Sequence, residues 1–212
     1  MIIFYDCTTA PSPRQVRMFI AEKGLTNSIK NIEVNLRDAE QLSPEFKNIN
    51  PYCTVPVLET ETGERFFSTA GCCRYLEDAY PNPPLMGVDK EEKAMVADMQ
   101  WRMEIDGFLA VGESLRNSAP GLKNRALTGP DNYEQIPELA DRGRERVKRF
   151  FTVVNKILDD RTYIAGKNFS IADITAFCTI SFADRLKFEI PEEATNLRRW
   201  LENINSRPST LV

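Results

Sequence analysis

The 212-residue chain contains no histidine. That absence removes imidazole general bases, histidine-dependent triads and most zinc chemistry. No run of about 18 apolar residues occurs, so no membrane span is expected. The opening MIIFYD has neither the basic region nor the apolar core of a signal peptide, and the expected compartment is the cytoplasm. Lysine and arginine never cluster into a nucleic-acid surface, and the net charge is −4. The five cysteines are odd in number and include no C-x-x-C pair. Neither a disulfide framework nor a cysteine-only metal site is expected, and no metal is assigned. Any chemistry must run on hydroxyls, thiols, carboxylates, backbone amides or a group brought by a substrate.

What is present reads as a globular chain, 42% apolar and 27% charged. The first 80 residues alternate in period. MIIFYD, IKNIEVNL, TVPVLET and ERFFS read as strands; PRQVRMFIAEKGL, SPEFKNI and TAGCCRYLEDAY read as helices. Gly24 stands where a helix C-cap is expected, and Ser43-Pro44 reads as an N-cap followed by a first-turn proline. The order β-α-β-α-β-β-α makes a small mixed sheet flanked by helices. Pro81, Pro83 and Pro84 then break the chain in a linker over 81–88. From 89 to 212 the pattern is all helix. Ala94, Ala97, Trp101, Ile105, Phe108, Gly112 and Leu115 form one apolar stripe, and Ala140, Val147, Phe150, Val154 and Ile157 another. SIADITAFCTISFADRL is apolar nearly all round, as a central helix requires.

Three short stretches bear on chemistry. Val55-Pro56 begins a strand, which allows either an edge proline or a cis bond that turns the Val55 backbone toward an extended peptide. Ser68-Thr69 opens a helix without acidic residues in its first turn; it is either a simple cap or a carboxylate site on the exposed helix amides. Ser170-x-x-Asp173 is a capping box with a structural role.

VRMFIAEKGL, LSPEFKNINPYCTVPVLE, TAGCCRYLEDAYP and GKNFSIADIT, in this order over essentially the full length, resemble the cytosolic glutathione S-transferases. The resemblance implies a thioredoxin-like domain over 1–80 and an all-helical domain over 89–212. It implies glutathione as co-substrate, a small electrophilic and largely apolar molecule as second substrate, a detoxifying role, and a homodimer. From the scattered basic residues and the lack of a long apolar run, no nucleic-acid or membrane partner is expected. Family dimers pack the long helix near 95–103 on the partner, and Met95, Met99 and Met103 form an apolar ridge there. A glutathione-dependent disulfide or peroxide reductase, or a non-catalytic binding module, are the alternatives on the same fold.

Carried over residue by residue, Val55 pairs its backbone with the cysteinyl part of glutathione. The glutamyl carboxylate falls at Ser68-Thr69, where many members have Glu or Gln followed by Ser. Gln41 and Cys53 stand where other members place His against the glycyl carboxylate, and Gln41 can still donate. The family's catalytic Ser, Thr or Cys falls on Ala10, which has no donor. Thr9 and Ser12 flank it and are the catalytic candidates, Thr9 first. Ser12-Pro13-Arg14-Gln15 also reads as N-cap, first-turn proline and capping box. Cys7 lies close to the strand, and Cys72-Cys73 are expected to pack as small apolar groups.

Overall fold

A computed structural model describes all residues, 1–212. They form two compact units. The first comprises 1–83, 127–132 and 211–212, the second 84–126 and 133–210.

In the first unit, β1 (Ile3–Asp6), α1 (Pro11–Glu22), β2 (Lys30–Glu33), α2 (Pro44–Ile49), β3 (Val57–Glu59), β4 (Arg65–Phe66) and α3 (Thr69–Ala79) follow the order read from the sequence. The sheet runs β2-β1-β3-β4. β1 is parallel to β2, with Asp6 opposite Glu33, and antiparallel to β3, with Tyr5 opposite Val57. β3 and β4 are antiparallel, with Leu58 opposite Phe66. The expected mixed sheet is therefore borne out. Strand alternation sends Tyr5 and Val57 into a cluster with Val34 and Phe46. Helix α1 ends as its glycine demands. Gly24 has φ +69, Leu25 N–H reaches Ile20 O at 3.0 Å and Gly24 N–H reaches Ala21 O at 2.9 Å, the paired bonds of a Schellman end. Ser43 caps α2 by accepting from Phe46 N–H at 3.1 Å.

The second unit is built on helices: α4 (Lys90–Arg102), α5 (Leu109–Ser118), α6 (Pro137–Ile157), α7 (Ile171–Arg185) and α8 (Thr195–Asn205). No helix is long and apolar enough to cross a membrane. Residues Met103–Phe108 join α4 to α5 as a π-helical turn. Its wider hydrogen-bond step leaves a carbonyl for another donor. Arg146 supplies one, donating to Ile105 O, and its other nitrogen meets Glu113 at 3.0 Å. Burial pushes the Glu113 carboxyl up, but hydrogen bonds from Arg142 and Arg146 outweigh it and hold the group below the usual carboxylate range. Residues 171–180 of α7 are all buried, as the all-round apolar pattern predicts.

The long helix corrects one reading. Its inward face carries Val96, Met99, Met103, Gly107, Ala110 and Ser114, all buried. Ala94, Ala97 and Trp101, expected inside, are exposed, with Trp101 at 59%. Met99 and Met103 are not a free ridge; they are core, at 9% and 1% exposure. Gly107 explains the choice of face: a Cβ there would come within 2.5 Å of the Phe150 ring. Val96, Met99 and Met103 fill the seam along α4, and small residues, Gly107, Ala110 and Ser114, continue it where the helices come closest.

Candidate functional site

All the candidate residues belong to the first unit. Strand directions gather them. β1 ends beside the start of β3, since Tyr5 opposes Val57, and β4 ends beside it too, since Phe66 opposes Leu58. The loop after β1, the Val55-Pro56 segment and the start of α3 therefore emerge at the same end of the sheet. The Tyr52 and Phe67 rings meet edge to face at 5.8 Å, tying the second of these segments to the third.

Val55–Pro56 is cis, as is Asn82–Pro83. Val55 lies outside every strand, half-buried, and its N–H and C=O make no backbone hydrogen bond within the chain. The segment leading to it is fixed by Asn50, fully buried. Its amide donates to Thr54 O at 2.7 Å, and its oxygen accepts from Tyr52 N–H at 2.9 Å. Cys53 sits in the left-handed region at φ 53, buried, with its thiol directed at Pro51 O. It presents no donor to a carboxylate. Gln41 lies in a 3₁₀ turn over Glu40–Leu42, half-buried, and its Oε1 is buried without a partner.

Ser68 caps α3, accepting from Gly71 N–H at 3.1 Å. The amides of Thr69 and Ala70 precede the first intrahelical bond and remain available to an anion. On the same helix, Cys72 and Cys73 are fully buried as expected. Burial pushes the Cys72 thiol up to about 12, so it is inert.

The β1–α1 loop corrects the capping of α1. Ala10, not Ser12, is the N-cap, with φ −88 and ψ 137 and no side-chain bond, and the helix starts at Pro11. Both prolines fit the first turn, because amides there are unbonded anyway, and the chain uses the earlier one. Ser12 therefore lies inside the first turn. Pro11 and Pro13 have no N–H, Ala10 N–H is spent on Cys7 O at 2.9 Å, and Ser12 supplies the one orphan amide of this end. Its hydroxyl is also uncommitted. Thr9 Oγ1 lies 3.4 Å from Cys7 Sγ.

Sequence reasoning missed two residues here. Arg17 donates to the Asp6 carboxylate, to Cys7 O at 3.2 Å and to Thr8 O at 3.1 Å. Glu33 accepts from Thr8 N–H at 2.9 Å and from the Thr8 hydroxyl at 2.8 Å. The available signal was an acid, Asp6, closing an otherwise apolar strand, which called for a cation nearby.

The models for the glutathione S-transferase N-terminal and C-terminal domains match residues 9–79 and 111–208. Glutathione S-transferase 2 of Saccharomyces cerevisiae is 32% identical over 98% of this chain and 87% of its own length. The chain belongs to the glutathione S-transferase family. The solved structure of Gtt2 from Saccharomyces cerevisiae superposes with a TM-score of 0.90, at 32% identity, covering 99% of this chain and 98% of that one. A glutathione S-transferase domain-containing protein from Marinobacter aquaeolei gives a TM-score of 0.90 at 31% identity over 98% of both chains. The resemblance carried by the four sequence stretches is thus borne out, and the N-terminal family match spans every candidate residue from Thr9 to Thr69.

Proposed function

We propose that the chain is a glutathione S-transferase that binds glutathione at this end of the sheet and conjugates its thiolate to small electrophilic, largely apolar molecules. The observation that carries the reading is Val55, with backbone donor and acceptor uncommitted, emerging at the same end of the sheet as two helix starts that retain free amides. The cysteinyl backbone of glutathione adds to Val55 as a short strand. The glutamyl carboxylate takes the Thr69 and Ala70 amides beside Ser68, and the amide of Gln41 serves the glycyl carboxylate.

A free thiol has a pKa of about 8.5, so the site must favour the ionised sulfur. Ser12 offers a hydroxyl and an amide at the positive end of α1. The thiol proton leaves to solvent, the sulfur pair forms a bond to the electrophilic carbon, and the leaving group departs with its own pair. Thr9, first from sequence alone, yields to Ser12, because its hydroxyl contacts Cys7. All five cysteines are free and buried. This favours attack by a bound glutathione thiolate over attack by a protein thiolate, and fits a reducing compartment, the cytoplasm.

The expected result is a rise of about one to two units in the bound thiol pKa for Ser12→Ala, the equivalent of one lost charge-assisted hydrogen bond, with Thr9→Val unchanged. Thiolate absorbance against pH reads it. A shift confined to Thr9→Val transfers the role to Thr9. Failure of the unmodified protein to bind glutathione at millimolar concentration overturns the whole reading.

The functional form is a homodimer. Ala94, Ala97 and Trp101, with Met95 at 40% exposure, place an apolar face of α4 on the surface, and a second copy would cover it. Light scattering at micromolar concentration should give twice the 24.2 kDa chain mass. A monomer there refutes it.

A further inference from the structure

We propose that Arg17 and Glu33 are positioning residues for the thiolate, clamping Thr8 so that the Ser12 hydroxyl and amide are held toward the glutathione sulfur. This role presupposes the glutathione site proposed above. The loop from Cys7 to Ala10 has little means of fixing itself. Within it lie one backbone bond, the Ala10-to-Cys7 turn, and the side-chain contact of Cys7 with Thr9; its helix cap has no polar side chain, and two of the first three helical residues are prolines. The bonds to Thr8 come from the neighbouring elements.

Arg17 stands in the second turn of α1, and helical side chains lean toward the N-terminus, so its guanidinium returns to the loop. The planar fork bonds three consecutive residues, Asp6, Cys7 and Thr8. Asp6, buried at 1% exposure, also accepts from Asn31 at 3.1 Å. Glu33, at the end of β2, takes the Thr8 amide and hydroxyl. Thr8 is thus held through its N–H, its hydroxyl and its carbonyl, two residues before the helix cap. Thr8 is on the surface, so the clamp buries no side chain there; what it fixes is the path of the backbone into the start of α1.

Charge alone makes the opposite forecast, which renders the test decisive. Glu33 is an exposed anion, and removing it by Coulomb's law would favour the thiolate and lower the thiol pKa. Loss of positioning raises it. Arg17→Lys keeps the charge that neutralises Asp6 but cannot fork to both carbonyls. The experiment measures the pKa of bound glutathione in Arg17→Lys, Glu33→Ala and Glu33→Asp, with amide exchange over residues 7–12 in the absence of glutathione. Both Arg17→Lys and Glu33→Ala should raise the thiol pKa by about one unit and speed exchange in that segment, with Glu33→Asp recovering part of the loss. Should Arg17→Lys fail to fold, Glu33→Ala decides alone, since Glu33 and Thr8 are both on the surface. An unmodified protein that lowers the thiol pKa, beside variants that lower it equally or further, overturns the clamp and spares the glutathione site. An unmodified protein that binds no glutathione overturns the site and the clamp with it.

Discussion

Gly143→Ala is expected to cost about 3 kcal/mol or more of unfolding free energy, at the upper end of what overpacking does. Gly143 lies in α6 where that helix crosses α5. A Cβ there would stand 2.6 Å from Ser114 N, 2.9 Å from Ala110 O and 3.0 Å from Ser114 Cα. All three are backbone atoms, so no rotamer change relieves the contact and the helices must part. Parting them strips Ala110, Val111 and Val147, all fully buried, of their neighbours. Gly112 supplies the control. It lies on α5 and nothing stands within 4 Å of its added Cβ. Gly112→Ala should stabilise by up to about 1 kcal/mol, through helix propensity alone. Urea unfolding followed by the fluorescence of buried Trp200 reads both. If Gly143→Ala unfolds within about 0.5 kcal/mol of the unmodified protein, the two helices do not approach as closely as described.

The same crossing shows what sequence could and could not disclose. Local devices were legible because each rests on one or two residues with a fixed conformational demand: Gly24 ending α1, Ser43-Pro44 opening α2, Ser68 opening α3, Ser170 and Asp173 opening α7. The central helix was legible from uninterrupted hydropathy. The inward face of α4 and α5 was not. The expected stripe placed Trp101 inward, yet the helices meet through Gly107, Ala110 and Ser114 beside Phe108, and the bulky Trp101 is left outside. In the candidate site, the Ser68 cap was legible from its local motif, whereas Val55-Pro56 alone left an edge proline and a cis bond both open and the family resemblance was what singled out Val55. The capping of α1 was ambiguous, since Pro11 and Pro13 are both compatible with a first turn. Arg17 and Glu33 escaped notice because their importance lies in which backbone groups they reach, and that depends on the β1–β2 pairing that brings Glu33 opposite Asp6.

Asp173→Ala should cost at least about 3 kcal/mol at pH 7, because one carboxylate serves four donors in the core of the second unit. Oδ1 accepts from Ile164 N–H and Trp200 Nε1–H, each at 2.9 Å, and Oδ2 from Ser170 N–H at 3.0 Å and its hydroxyl at 3.2 Å. Alanine leaves at least three buried donors unpaired, each costing about 1–3 kcal/mol. The group also sets a pH dependence. Burial is the largest influence and pushes the Asp173 carboxyl from 3.8 up to about 6, against the pull of its four donors. The folded chain therefore binds this proton more tightly than the unfolded one. Its contribution is fully present below about pH 4, is lost as pH rises through about 6, and is flat beyond. At about 1.36 kcal/mol per pH unit, the loss across that window is about 3 kcal/mol. Asp173→Asn separates the two effects. Its amide cannot ionise, so this component of the slope between pH 4 and 6 disappears, while an NH₂ facing Ser170 N–H or the Ile164 and Trp200 donors still costs an unpaired group. The gap between Asp173→Asn and the unmodified protein should accordingly narrow as pH rises from 4 to 7. Urea midpoints at half-unit pH intervals measure it. A gap that widens instead would mean that the four hydrogen bonds outweigh burial and that the carboxylate, rather than the acid, is the form the fold prefers.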